Sequence, residues 1–211
     1  MRLVIWGGIA VALTGLVGVY IRVYRPRQLR WGATDEEVAR PMPGDEIVSR
    51  PVFNATRAVT VNARPADIWP WLVQIGFGRA GWYSYDILDN LGRHSSEQIL
   101  PEYQHLEPGD LIPLGPGAES GLNVKDIRPN ESMIWWERKR QSTTWVWELY
   151  PIGEQTRLVT RVRNDYRKGI SNFIFGLLLI EPTDFPLMRK CMLGIKRRAE
   201  ARAMHARTGS M

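Results

Sequence analysis

The side chains able to carry chemistry are few and scattered. Asp86 and Asp89 stand three apart in "GRAGWYSYDILDN" (78–90), so a helix there would put both on one face. Such a pair could hold and pass a proton; two solvated surface carboxylates are the commoner use of this residue type. His94, His105 and His205 have no second ligand at a metal-binding spacing, and no metal site is expected. Cys191 is the only cysteine. It excludes an intramolecular disulfide and a thiolate cluster, and on the edge of an apolar helix stripe it reads as a buried, inert thiol. Glu137 and Glu148 fall on neighbouring strands, where alternation with Trp147 turns Glu148 outward. "LGPGAESG" lacks the Lys-Ser/Thr of a phosphate loop, no Gly-x-Ser-x-Gly elbow is present, and no cofactor is expected.

Aromatic residues are the richer signal. Nine tryptophans stand among 211 residues, enough to fill a core or to line an apolar pocket. Trp82, Tyr83 and Tyr85 crowd into the same short stretch as the two aspartates. They either border a pocket, with the phenols as polar contacts, or pack a corner of the core.

The formal net charge is +6, but its location argues against nucleic acid. Seven Lys/Arg against one Glu lie between Arg189 and Arg207, and Arg22, Arg25, Arg27 and Arg30 lie near the start; the remainder is net acidic. A nucleic-acid groove spreads its basic residues over the folded surface, so no nucleic-acid partner is expected.

"LVIWGGIAVALTGLVGVYI" (3–21) carries no charge. As a helix it reaches about 28 Å at roughly 1.5 Å per residue, close to the ~30 Å hydrocarbon core of a bilayer. Trp6 and Tyr20 sit near its ends, and four arginines follow it. The positive-inside rule places the following domain in the cytoplasm, behind a single-pass anchor. The competing reading, a cleaved signal peptide, has a poor cleavage site and arginines directly beyond the run. The expected division is therefore a transmembrane anchor over 1–24, a linker over 25–54, rich in proline and without helical period, and a folded domain over 55–207.

The folded part reads as α+β. Thr56–Ala63 alternates like a strand. Pro65 and Asp67 open a helix whose Ile68, Trp71, Leu72 and Ile75 keep a helical period until Gly76. From Asp110 five strand-like runs follow, broken by "PNE" and "GEQ" turns, as in antiparallel hairpins. Trp145, Trp147 and Leu149 share one face, and Arg157, Arg161 and Arg163 point away from Leu158, Thr160 and Val162, which predicts one buried and one wet face. The chain ends in a long helix capped by Thr183 or Asp184, with the stripe Phe185, Met188, Met192, Ile195 and Ala199. Ahead of it "ISNFIFGLLLI" (170–180) has no charge; it is either a membrane-facing gate or an early start of that helix with both Phe rings in the core.

This order, with "PADIWPWLVQIGFGRAGWYSYD" (65–86), "LEPGD" (106–110) and "WELYPIGEQTRLVTRVR" (147–163), resembles the START-like, or SRPBCC, superfamily. The resemblance covers residues 50 to 205. It implies a helix-grip fold, a curved antiparallel sheet of about six to seven strands around the C-terminal helix, with a seventh strand sought near Gln98–Gln104. It also implies a cavity between sheet and helix for a lipid or another hydrophobic small molecule. Trp82, Tyr83, Tyr85, Trp145, Trp147, Met188 and Met192 are the candidate ligand-binding residues. The expected partners are that ligand and the membrane, and the activity is binding. A polyketide cyclase-like enzyme and a partner-binding module without an open cavity are the alternatives.

Overall fold

The computed structural model describes residues 14–117, 120–167 and 169–208. Most of the uncharged run Leu3–Ile21, and with it the expected membrane span, lies outside the described residues. Among the described residues no helix is long and apolar enough to cross a membrane.

Six strands form one antiparallel sheet in the order β1-β6-β5-β4-β3-β2. They are β1 (Phe53–Val61), β2 (Leu111–Pro113), β3 (Gly121–Arg128), β4 (Ser132–Trp136), β5 (Thr143–Ile152) and β6 (Gln155–Asn164). Residues 98–104 add no seventh strand: they hold a 3₁₀ turn, Pro101–Tyr103, whose proline cannot donate to a ladder. Gln74 ties this loop down, accepting from the Leu100 N–H at 2.9 Å and donating to the Gln98 carbonyl at 3.1 Å.

Before the sheet lie α1 (Arg25–Leu29) and α2 (Asp35–Ala39). Residues 14–24 are helical too and run into α1 through a π turn, Tyr20–Tyr24. The helix after β1, α3 (Pro65–Val73), starts on Pro65 and buries Ile68, Trp71 and Leu72, as the periodicity predicts. A single turn, α4 (Asp86–Asp89), follows.

The C-terminal helix begins earlier than its sequence cap suggests. α5 (Ile170–Phe175), a π turn (Gly176–Ile180) and α6 (Glu181–Thr208) run on, with helical backbone at both junctions. Thr183 sits inside this helix, its hydroxyl donating back to the Leu179 carbonyl at 2.8 Å; such a back-bond competes with capping. Met188, Met192, Ile195 and Ala199 are buried against the sheet as the stripe requires. Phe185 departs from it and stacks edge-on with Tyr24 and Trp31.

The core lies on the concave face. Val61, Leu158, Trp147, Trp135, Met133, Val124 and Leu122 of the sheet pack against α3 and α6. The convex face, expected wet, is covered instead. Ala58, Ile134, Val146 and Val159 pack with Met42 and Ala33 there. The segment read as a linker supplies this cover, and three arginines of β6 clasp it. Arg157 pairs with Glu37 at 2.6 Å. Arg161 donates to the carbonyls of Glu37, Val38 and Arg40 at 2.9–3.0 Å and to Asp45 at 2.7 Å. Arg163 donates twice to the Val48 carbonyl. Thr34 and Glu37 cap α2 reciprocally, a capping box within the proline-rich stretch.

Candidate functional site

β4 and β5 pair so that Trp135 faces Trp145 and Met133 faces Trp147. With period-two alternation all four point to the concave face. Trp82, from the turn after α3, stacks on Trp145 at 5.5 Å with planes 9° apart. Trp135 meets Trp145 edge-on at 5.1 Å and Trp147 at 6.2 Å. Four indoles thus fill most of the space in which the resemblance implies a cavity. What remains is a pocket of about 160 Å³ at the mouth, between the indoles and α6. Its wall is Trp82, Trp145, Leu114, Leu187, Met188 and Cys191, with Ser84, Asp89 and Asp184 as its polar groups.

The corner 76–90 places Trp82. Gly76 and Gly81 bridge each other across a tight turn, both with positive φ, which glycine adopts without strain. Tyr83 follows with φ of 55°, a region rare for a residue with a Cβ. Its hydroxyl accepts from Gln74 at 2.8 Å and donates to the Trp71 carbonyl at 3.2 Å, and the Arg198 guanidinium lies 4.4 Å over its ring. Gly194 of α6 touches the Tyr83 backbone so closely that a Cβ would clash. Burial pushes the phenol pKa up, and it stays protonated.

The site carries unmet polar capacity. In the indole cluster the N–H groups of Trp82, Trp135 and Trp147 are buried without a partner, whereas Trp145 donates to the Thr160 hydroxyl at 2.8 Å. One carboxylate oxygen of Asp89 is also buried and unpaired. Burial raises the Asp89 pKa above its ordinary value and the Asp86 charge adds to this, while the Ser84 hydroxyl and the Lys190 ammonium oppose it. Asp86 itself faces away from the pocket and accepts from the Ser95 hydroxyl at 2.6 Å. The two aspartates thus serve different neighbours rather than one proton. Burial also raises the Cys191 pKa, so the thiol is neutral and unreactive. At the rim, Arg57 of β1 enters the concave face, fully buried, and donates to Asp184 at 2.7 Å and to the Gln28 carbonyl at 2.9 Å. The Phe185 ring lies 5.5 Å from its guanidinium.

Of the candidate ligand-binding residues, the structure brings Trp82, Trp145 and Met188 to the pocket wall. Trp147 and Met192 lie in the core behind them, fully buried. Tyr83 is held within the corner. Tyr85 points outward under the Lys190 ammonium, 3.8 Å from its ring centre, over a groove shared with Tyr24 and Trp31. Trp135, Ser84 and the Arg57–Asp184 pair were not singled out from sequence, and Asp89, read there as half of a pair with Asp86, reaches the pocket without it. The alternation in "SMIWW" could have found Trp135; nothing local marks Asp184, which meets Arg57 across 127 positions.

Comparison with known proteins leaves the family open. No family model matches the chain, and no curated protein matches it. Among solved structures it is similar to the KanY protein, with 16% identity over 72% of this chain and 99% of that one and a TM-score of 0.43. A protein from Chromobacterium violaceum has 10% identity over 70% of this chain and 96% of that one, TM-score 0.42. A polyketide-cyc-like protein from Corynebacterium glutamicum has 14% identity over 74% and 92%, TM-score 0.35. At these values none of them carries an argument about what this chain does. The architecture is α+β, a curved six-stranded antiparallel sheet gripping a long C-terminal helix.

Proposed function

We propose that this chain is a membrane-attached binding protein for a small hydrophobic molecule, or for the end of a larger amphipathic lipid. The observation that carries the reading is the pocket beside the stacked Trp82–Trp145 pair, where the buried Trp82 indole N–H and one oxygen of the Asp89 carboxyl have no partner within the protein. Buried polar groups are nearly always paired, and an acceptor-bearing ligand or an ordered water would pair these. At about 160 Å³ the space compares with the ~150 Å³ that holds one benzene-sized ring, well under a drug-sized site. A ring or a short acyl segment fits, with any remaining part of the ligand lying outside along α6. Membrane attachment rests on the uncharged run Leu3–Ile21 and the arginines after it, which also favour a cytoplasmic domain.

One observation favours a second reading. A carboxyl with a raised pKa in an apolar pocket is the form a general acid takes, so Asp89 gives a cyclase-like activity a candidate proton donor.

The test compares small molecules extracted from the purified full chain with those from Leu114→Trp, which fills the mouth. A compound carried by the wild type and missing from the variant supports binding in this pocket. Identical extracts, or none, overturn it. Conversion of such a compound that stops in Asp89→Asn would move the assignment to catalysis.

A further inference from the structure

The helix that becomes α6 projects beyond the domain before it enters the core. Its first part, α5 and the π turn, is six and five residues long, about 16 Å at ~1.5 Å per residue. It carries no charge. Ile170 is 80% exposed, Ile174 50%, Phe175 55% and Leu179 50%. The apolar surface covers more than one stripe, unlike a helix docked by one face, and soluble surfaces rarely expose such a patch. The sequence offered two alternatives, a gate or core; the helix does start early, but its Phe rings are not in the core.

A second apolar helix leaves the domain at the same place. Residues 14–24 are helical, with Leu16, Val19, Ile21 and Val23 exposed. The two helices are locked at their inner ends. Arg25 donates to the buried Glu181 at 2.6 and 3.0 Å, the Tyr166 hydroxyl donates to the same carboxylate, and Tyr24 meets Phe185 edge-on at 6.3 Å. Gly176 accepts the Tyr166 ring where a Cβ would collide with it, so one side of the projecting helix is held by protein and the others stay open.

Basic residues ring the base of this pair. Arg22 and Arg27 are exposed on the N-terminal helix. Arg50, Arg140 and Arg167 line one cleft, and Arg140 also lines a second with Phe175 and Ile180. Asp165 is the acid between them, bonded to Arg167 at 2.8 Å. An apolar projection about as long as one leaflet is deep, with cations at its base, complements an anionic bilayer.

The geometry points to Ile170–Ile180 as a second membrane-inserting element, entering one leaflet beside the N-terminal helix with Arg50, Arg140 and Arg167 at the level of the phosphates. The inference rests on the membrane attachment proposed above and turns a single tether into a two-point mount. Asp184 and Leu187 at the pocket mouth then lie about 6–10 Å beyond the inserted end, at ~1.5 Å per residue.

The test uses the full chain in vesicles of phosphatidylcholine and phosphatidylglycerol containing a photoactivatable probe confined to the acyl region. Adducts on both the N-terminal peptide and the 170–180 peptide are expected. Adducts on the N-terminal peptide alone overturn this inference and leave the anchor standing; adducts on neither overturn both. A nitroxide at Leu178→Cys or Ile174→Cys, in a Cys191→Ser background, gives depth. Collisions with oxygen should exceed those with a water-soluble nickel chelate several-fold, and a label at Glu154→Cys should show the reverse. Equal nickel access at all three positions overturns the inference, and shielding from both reagents at 174 and 178 overturns it in favour of contact with a second copy. An unchanged depth in phosphatidylcholine alone would remove the arginines' part in it. None of these readouts depends on a ligand in the pocket.

Discussion

The two faces of the sheet are both covered, and they are covered in opposite ways. On the convex face Arg161 alone reaches three carbonyls, the Thr56 hydroxyl and Asp45, and Arg157 and Arg163 are similarly engaged. On the concave face the Trp82 indole and one Asp89 oxygen are unmet at the wall of a void, and the Trp135 and Trp147 indoles are unmet behind it. A face whose arginines all end on the chain's own acceptors, with no void beside them, has little to offer a ligand, whereas unmet capacity next to space is what a binding site requires. Burial alone does not tell support from site.

The largest expected effect would break the convex face. Arg161→Ala should cost about 3–5 kcal/mol, because it leaves three carbonyls beneath the docked segment short of a donor and Asp45 with Arg163 as its remaining cation. Urea unfolding measures the loss, and limited proteolysis should cut within 33–50 before the rest of the chain. A loss under about 1 kcal/mol would mean that the cover is held by its apolar contacts instead.

Next in size is a contrast within the concave face. Trp147→Ala should cost about 3–5 kcal/mol as a core truncation. Trp82→Ala, beside the void, should cost less stability. It should weaken ligand binding by roughly five- to tenfold, the size of one aromatic contact of ~1–1.5 kcal/mol. Titration calorimetry with the extracted compound reads the second effect, and equal losses of stability at both positions would erase the distinction between wall and core.

Acid should separate the faces further. The Arg157 guanidinium hydrogen-bonded to Glu37 holds its carboxyl below its ordinary value, with burial opposing. A lowered carboxyl pKa contributes stability above the unfolded value, about 4.3, and that contribution is lost as pH falls through the folded value. Hydrogen exchange over 31–50 should therefore rise below about pH 4, ahead of exchange in α6.

The smallest effect has the opposite sign. The Asp89 pKa is raised, chiefly by burial, so the folded state is favoured while the group is protonated and loses that advantage as pH rises through the folded value. Asp89→Asn should then raise the melting temperature slightly at neutral pH, with no gain near pH 4 (about the ordinary carboxylate range). A lower melting temperature at pH 7 would show that the Ser84 hydroxyl and the Lys190 ammonium hold the ionised carboxylate more strongly than burial opposes it.

Local pattern was enough for the elements themselves. Period two in Thr56–Ala63, Thr143–Ile152 and Gln155–Asn164 and the 3.6-residue stripe Met188, Met192, Ile195 fix which faces turn inward, because alternation and helical pitch are properties of a few consecutive residues. From that followed an α+β sheet with a long closing helix, and the positions of Trp145, Trp147 and Met188 on inward faces. The residues that decide what each face does lie beyond such windows. Arg161 meets Glu37 across 124 positions, Arg57 meets Asp184 across 127 and Arg25 meets Glu181 across 156. A charged residue on a strand looks wet until the segment that covers it is known, which is why the convex arginines read as exposed and residues 25–54 as a linker. Whether four tryptophans leave a cavity or fill it depends on packing volume summed over three elements, and only the tertiary structure decides that.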